Sequence, residues 1–175
     1  MKKIAVLLLM VVVGVLTACN TPNDSKTIEL SSLLGVWENT AIQMSGKEKH
    51  EMPLSLNAGV ELRMYRCFSA DHTMPQAFRI TGIPQHDKLY QTQLKDFGNA
   101  TYSISGNAIT LTFDSNKGKI SQTGTLQITG DTAVLTMPIP GEGTTIIWMK
   151  KVSSPTEADI INAPLKNLED LLSEF

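Results

Sequence analysis

From Leu33 to Val152 the chain alternates short runs rich in Thr, Ile, Val, Leu and aromatic residues with clusters of Gly, Asn and Asp. Runs spaced by roughly 8–12 residues predict an all-β sandwich or barrel. The period of two is clearest in Val60–Phe68, where Val60, Leu62, Met64 and Phe68 share one face and Arg66 interrupts it. "ATYSISGNAITLTFD" predicts a hairpin: Ser105-Gly106-Asn107 turns the chain, and Ile109, Leu111 and Phe113 share a side of the returning strand. A second turn at "SNKG" (115–118) leads into a long polar strand, Lys119 to Thr129. Gly130-Asp131 then turns the chain into Ala133, Leu135 and Met137. A loop with Pro138, Pro140, Gly141 and Gly143 precedes a last strand, Thr144 to Val152. With a first strand at 34–44 the count is about eight, and residues 72–97 carry the weakest pattern. Successive hairpins without crossover helices predict an up-and-down antiparallel β-barrel.

The pattern changes at both ends. In "TEADIINAPLKNLEDLLSEF" Leu165, Leu168, Leu171 and Leu172 fall at helical spacing among acidic residues. Pro164 suits a first helical turn, so we expect a turn at 156–162 and a short C-terminal helix at 164–174. At the other end, Lys2 and Lys3 precede the uncharged apolar run Ile4 to Leu16. That run is shorter than the roughly 20 residues a spanning helix needs, and reads as a signal peptide over residues 1–18. Residues 19–30 are a polar spacer, 31–152 the barrel and 153–175 the tail.

Composition narrows the class. The net charge of −2 comes with no basic stripe, which excludes a nucleic-acid partner. Besides Cys19 the chain holds only Cys67, so the fold stands on its core and not on disulfides.

Leu16-Thr17-Ala18-Cys19 resembles the bacterial lipobox. The resemblance implies that Cys19 becomes a lipidated N-terminus carrying acyl chains of the palmitate type. Two or more such chains hold a soluble body stably on a bilayer. Asn20 in place of an Asp points to the outer membrane, and we expect the chain to face the periplasm.

"LLGVWENT" (33–40) resembles the first strand of lipocalins and their calycin relatives, and Trp148-Met149-Lys150 resembles the last strand of bacterial lipoproteins with a lipocalin-like domain. The likeness implies a lipocalin-like barrel closed at one end by Gly35, Trp37, Trp148 and Lys150, with Lys150 or Lys151 stacked over Trp37. Independently of that likeness, an indole on the first strand seals a barrel end with few residues, and Gly35 allows the chain to bend there.

Candidate chemistry is sparse. No Gly-x-Ser-x-Gly, phosphate loop or Cys/His pair is present, so we assign no catalytic residue and no cofactor. His50, His72 and His86 are dispersed and share no metal-ligand spacing. The residues expected to face inward are Leu62, Met64, Phe68, Phe113, Met137 and Met149, with Met44 beside them. Methionine adapts well to apolar ligands. Arg66 is placed to pair with a ligand carboxylate, as an Arg does in fatty-acid-binding proteins by resemblance. We therefore expect a membrane-anchored carrier of a small apolar or amphipathic molecule. The alternative is a closed barrel with a filled core that serves as a protein-interaction module of the envelope.

Overall fold

The computed structural model describes residues 27–57, 59–93, 97–115, 118–139, 143–168 and 170. Cys19, the signal peptide and residues 169 and 171–174 of the expected tail helix lie outside these residues. The chain packs from Ile28 onward: its amide donates to Gly106 O (3.0 Å) and its side chain rests on the core. A single helical turn, α1 (Leu30–Leu33), then leads into strand β1 (Gly35–Met44).

Twelve more strands follow: β2 (His50–Glu51), β3 (Leu54–Asn57), β4 (Val60–Phe68), β5 (Thr73–Met74), β6 (Gln76–Thr81), β7 (Leu89–Gln93), β8 (Phe97–Ser105), β9 (Ala108–Ser115), β10 (Gly118–Thr129), β11 (Thr132–Ile139), β12 (Gly143–Val152) and β13 (Leu165–Asn167). Helix α2 (Glu157–Ile161) lies between β12 and β13. The strands form one curled sheet in the order β13-β7-β6-β4-β1-β12-β11-β10-β9-β8-β5. The expected hairpins from Ala100 to Val152 are all present as antiparallel pairs.

The expected closed barrel of eight strands is not formed. The path holds eleven strands and stays open, and its departure from a ring is set at Pro75. There the strand returning from β4 forks. Thr73 and Met74 pair with Thr101 and Ala100 of β8, whereas Gln76 to Thr81 continue along β4 and carry β7 and β13 outward. At the fork Cys67 N donates to Pro75 O (3.0 Å) and Ser69 N to Thr73 O (3.1 Å). A proline has no amide hydrogen to continue both ladders. The sheet is therefore a half-barrel, bridged at one end by a strand of two residues.

The tail departs from expectation as well. Residues 157–161, read as a turn, form α2, and 165–167, read as helix, form β13 parallel to β7. The free edge of β7 supplies the reason. Gln91 N bonds Pro164 O (3.0 Å), and Gln91 Nε2 donates to Ile160 O (2.9 Å) and Ile161 O (2.7 Å). Covering an open edge satisfies more backbone groups than an isolated helix of the same residues would.

Strand alternation divides the buried residues. Trp37, Phe68, Leu126, Leu135, Ile147 and their neighbours form the main inner cluster. Leu62, Met64, Phe78 and Ile80 form a second one, with Leu168 and the partly buried Met52, Leu54 and Leu56. Val36, Tyr65 and Cys67 take the opposite face and are covered by Ile160 of α2. A reciprocal capping box holds that helix: Thr156 Oγ1 accepts from Asp159 N (3.2 Å), and Asp159 Oδ2 accepts from Thr156 N (2.8 Å). Thr156→Ala removes a cap worth about 1 kcal/mol. We expect the buried Cys67 thiol, which burial pushes above its ordinary pKa, to react roughly fivefold faster with a thiol reagent in this variant. An unchanged rate contradicts the assignment of α2 as the cover.

Candidate ligand-binding interior

The closed end of the half-barrel is built from Leu33, Trp37 and Lys151. Trp37 is fully buried and its Nε1 donates to Leu33 O (2.7 Å), so the indole ties β1 to the turn that precedes it. Lys151 stands opposite Trp37 on β12; its Nζ lies 5.3 Å from the ring centroid and donates to Ser32 O (2.9 Å). The expected closure residues separate here. Gly35 adopts φ +114°, a conformation side chains rarely tolerate, and the Lys151 stem packs against it. Lys150, by contrast, is exposed beside Glu38 and Thr132. Trp148 belongs to the outer face, where Lys49 Nζ sits 4.8 Å from its ring. The cause is the period of two: Ile147, Met149 and Lys151 share the inner side, which leaves Trp148 and Lys150 on the other.

The residues expected to contact a ligand divide between the two inner clusters. Phe68, Phe113, Met137 and Met149 belong to the main one, Leu62 and Met64 to the second, and Met44 is half-buried opposite Thr145. Arg66 lies on β4 between Met64 and Phe68, hence at the seam of the clusters, and its Cα partner on β1 is Trp37.

Arg66 is 5% exposed, and its Nε has no hydrogen-bond partner. Burial alone pulls its guanidinium from the ordinary 12.5 down to about 10, which keeps it charged at neutral pH. No carboxylate contributes to that value. Arg63 of the same strand shows the contrast, since it pairs with Glu38 (2.9 Å) and Glu61 (3.2 Å) on the other face. Glu38 and Glu61 are thus engaged on the outer face, and among the described residues no carboxylate pairs with Arg66.

Three further inward side chains have no internal partner. Asn39 (2% exposed), Gln122 (5%) and Thr145 (1%) carry buried polar atoms without a hydrogen bond, in the first two cases on both amide atoms. Thr92 Oγ1 on the half-buried β7 is a further one. Asn39 faces Met149 at a β-bulge, where β1 parts from β4 beyond the Glu38–Tyr65 pair. Sequence reasoning missed these three, although alternation marks each: Asn39 follows Trp37 by two, Gln122 lies two from Ile120 and Gly124, and Thr145 precedes Ile147 by two. Buried polar groups ordinarily find partners, so these call for an explanation.

His72 joins no such group. It occupies the tight turn between β4 and β5, where Asp71 Oδ1 accepts from Thr73 N (2.9 Å), and its ring leans on Tyr102. Among the described residues no three His, Cys, Asp or Glu side chains come together as a metal site.

No protein-family model matches the chain. No curated protein matches it either. Among solved structures it is similar to the crystal structure of a mutant of the fluorescent protein UnaG, at a TM-score of 0.38 and 10% sequence identity, covering 72% of this chain and 100% of that one.

Proposed function

We propose that this chain is a lipid-anchored lipoprotein of the bacterial envelope, held on the outer membrane through Cys19 and facing the periplasm. Its curled sheet binds or carries a small amphipathic molecule whose acidic group is taken by Arg66. The observation that carries the reading is the buried, charged Arg66 without a carboxylate partner among the described residues. An isolated buried cation is costly, and an incoming anion supplies the missing partner with a charge-assisted bond. The inner methionines 64, 137 and 149 are the adaptable side chains that yield to the apolar portion. Mass spectrometry of the chain under non-denaturing conditions tests the reading, with a bound acidic amphipath as the expected result.

A second reading is favoured by the tightness of the interior, since the described side chains close over the polar atoms of Asn39, Gln122 and Thr145. On that reading the half-barrel is a filled interaction module of the envelope, and the chain carries no small molecule. The anchor is tested separately. Cys19→Ala is expected to move the protein from the membrane to the soluble fraction; retention on the membrane contradicts lipidation at Cys19.

A further inference from the structure

The two ends of the inner polar set differ in chemistry. Near the closed end stand the Arg66 cation and the Asn39 amide; farther along stand the Gln122 amide and the Thr145 hydroxyl, which carry no charge. Measured along β12, Asn39 lies opposite Met149 and Thr145 is four residues away, so the zones are on the order of 13 Å apart at about 3.3 Å per residue.

Gln122 and Thr145 flank Met137 on the neighbouring strands β10 and β12. Thr145 is the cross-strand partner of Met137. On the other side Met137 Sδ lies over Gly124, at 2.5 Å from where a Cβ would stand, and Gln122 is the next inward residue beyond Gly124 on β10. The glycine thus gives the methionine its resting place. Met137 is the flexible group between the two polar side chains.

We infer that the ligand is bifunctional, an acid at one end and a neutral hydroxyl or amide at the other, the second group taken by Gln122 and Thr145. This rests on the assignment of Arg66 to the acid. An unpaired amide offers both donor and acceptor, and a hydroxyl likewise, so the second zone matches a group that itself donates and accepts. A second carboxylate does not fit, because among the described residues no cation stands there. A plain alkyl end leaves the amide unpaired.

Calorimetric titration of the full chain with lauric acid and with ω-hydroxylauric acid tests this. The hydroxylated acid is expected to bind about tenfold more tightly, the worth of one buried hydrogen bond. In the variant Gln122→Leu with Thr145→Val that preference is expected to vanish while lauric acid still binds. Exchanging buried unpaired polar groups for apolar ones of similar size is near-neutral for stability. Thr145→Val alone, the smaller change, is read if the double variant fails to fold. Equal binding of the two acids by the wild type overturns the inference and leaves the Arg66 reading standing. A preference that survives in the variants overturns the assignment to these residues. Binding of neither acid overturns both.

Discussion

Trp37→Ala lowers the stability of the fold by about 3–5 kcal/mol, the range for emptying a buried aromatic site. Three losses coincide in that variant. The fully buried indole is gone, Leu33 O loses the donor 2.7 Å away, and Lys151 loses the ring beneath its Nζ. Domains of ordinary stability hold only about 5–15 kcal/mol, so a large share of the total disappears. Trp37→Phe separates the contributions. It keeps an aromatic face for Lys151 and removes the N–H, leaving one buried carbonyl short of a donor at a cost of about 1–3 kcal/mol. Urea denaturation of both variants is expected to rank them wild type, Phe, Ala in falling midpoint. A Trp37→Ala midpoint within error of wild type contradicts the role of the indole as the seal of that end.

Much of this architecture is legible as alternation. Val60–Phe68 coincides with β4, the Ser105-Gly106-Asn107 turn joins β8 to β9, and the strands expected at Lys119–Thr129, Ala133–Met137 and Thr144–Val152 match β10, β11 and β12 within a few residues. Such features are local: a period of two and a turn residue suffice to announce them. What escaped depends on distant partners. The fork at Pro75 exists because β8, some twenty-five residues later, takes one prong and β4 the other. The strand at 165–167 exists because β7 has a free edge, and Leu165 and Leu168 at helical spacing conceal that.

The candidate site divides along the same line. Arg66 is visible as a charge interrupting an apolar face. Its isolation is not visible, since that depends on Glu38 and Glu61 being engaged by Arg63 on the opposite side of the sheet. Asn39, Gln122 and Thr145 are single polar residues in strands that also carry outward Thr and Ser; alternation marks their side, and only the fold shows that they are buried without partners.

Arg66→Met raises the stability of the protein by about 1–4 kcal/mol and at the same time weakens the affinity for acidic amphipaths. Methionine has similar length and no charge, so the variant exchanges a buried, unpaired cation for an apolar side chain among Met64, Phe68 and Trp37. Replacing buried ionic groups by well-packed apolar ones is often stabilising by that amount, whereas removing one partner of a paired group costs about 3–5 kcal/mol. The sign of the change therefore reports whether Arg66 serves the fold or a ligand. A group retained at a cost to stability is expected where function requires it. Arg66→Lys keeps the charge and loses the planar fork, and is expected to bind weakly.

The most direct measurement is the dissociation constant of ω-hydroxylauric acid for the wild-type chain and for Arg66→Met, by calorimetry at neutral pH. A charge-assisted bond of about 1.5–3 kcal/mol predicts binding roughly 10- to 100-fold weaker in the variant, which itself unfolds at a higher temperature than wild type. Equal affinities in the two proteins, or a variant that binds less only because it has lost its fold, contradict the placement of the acid at Arg66.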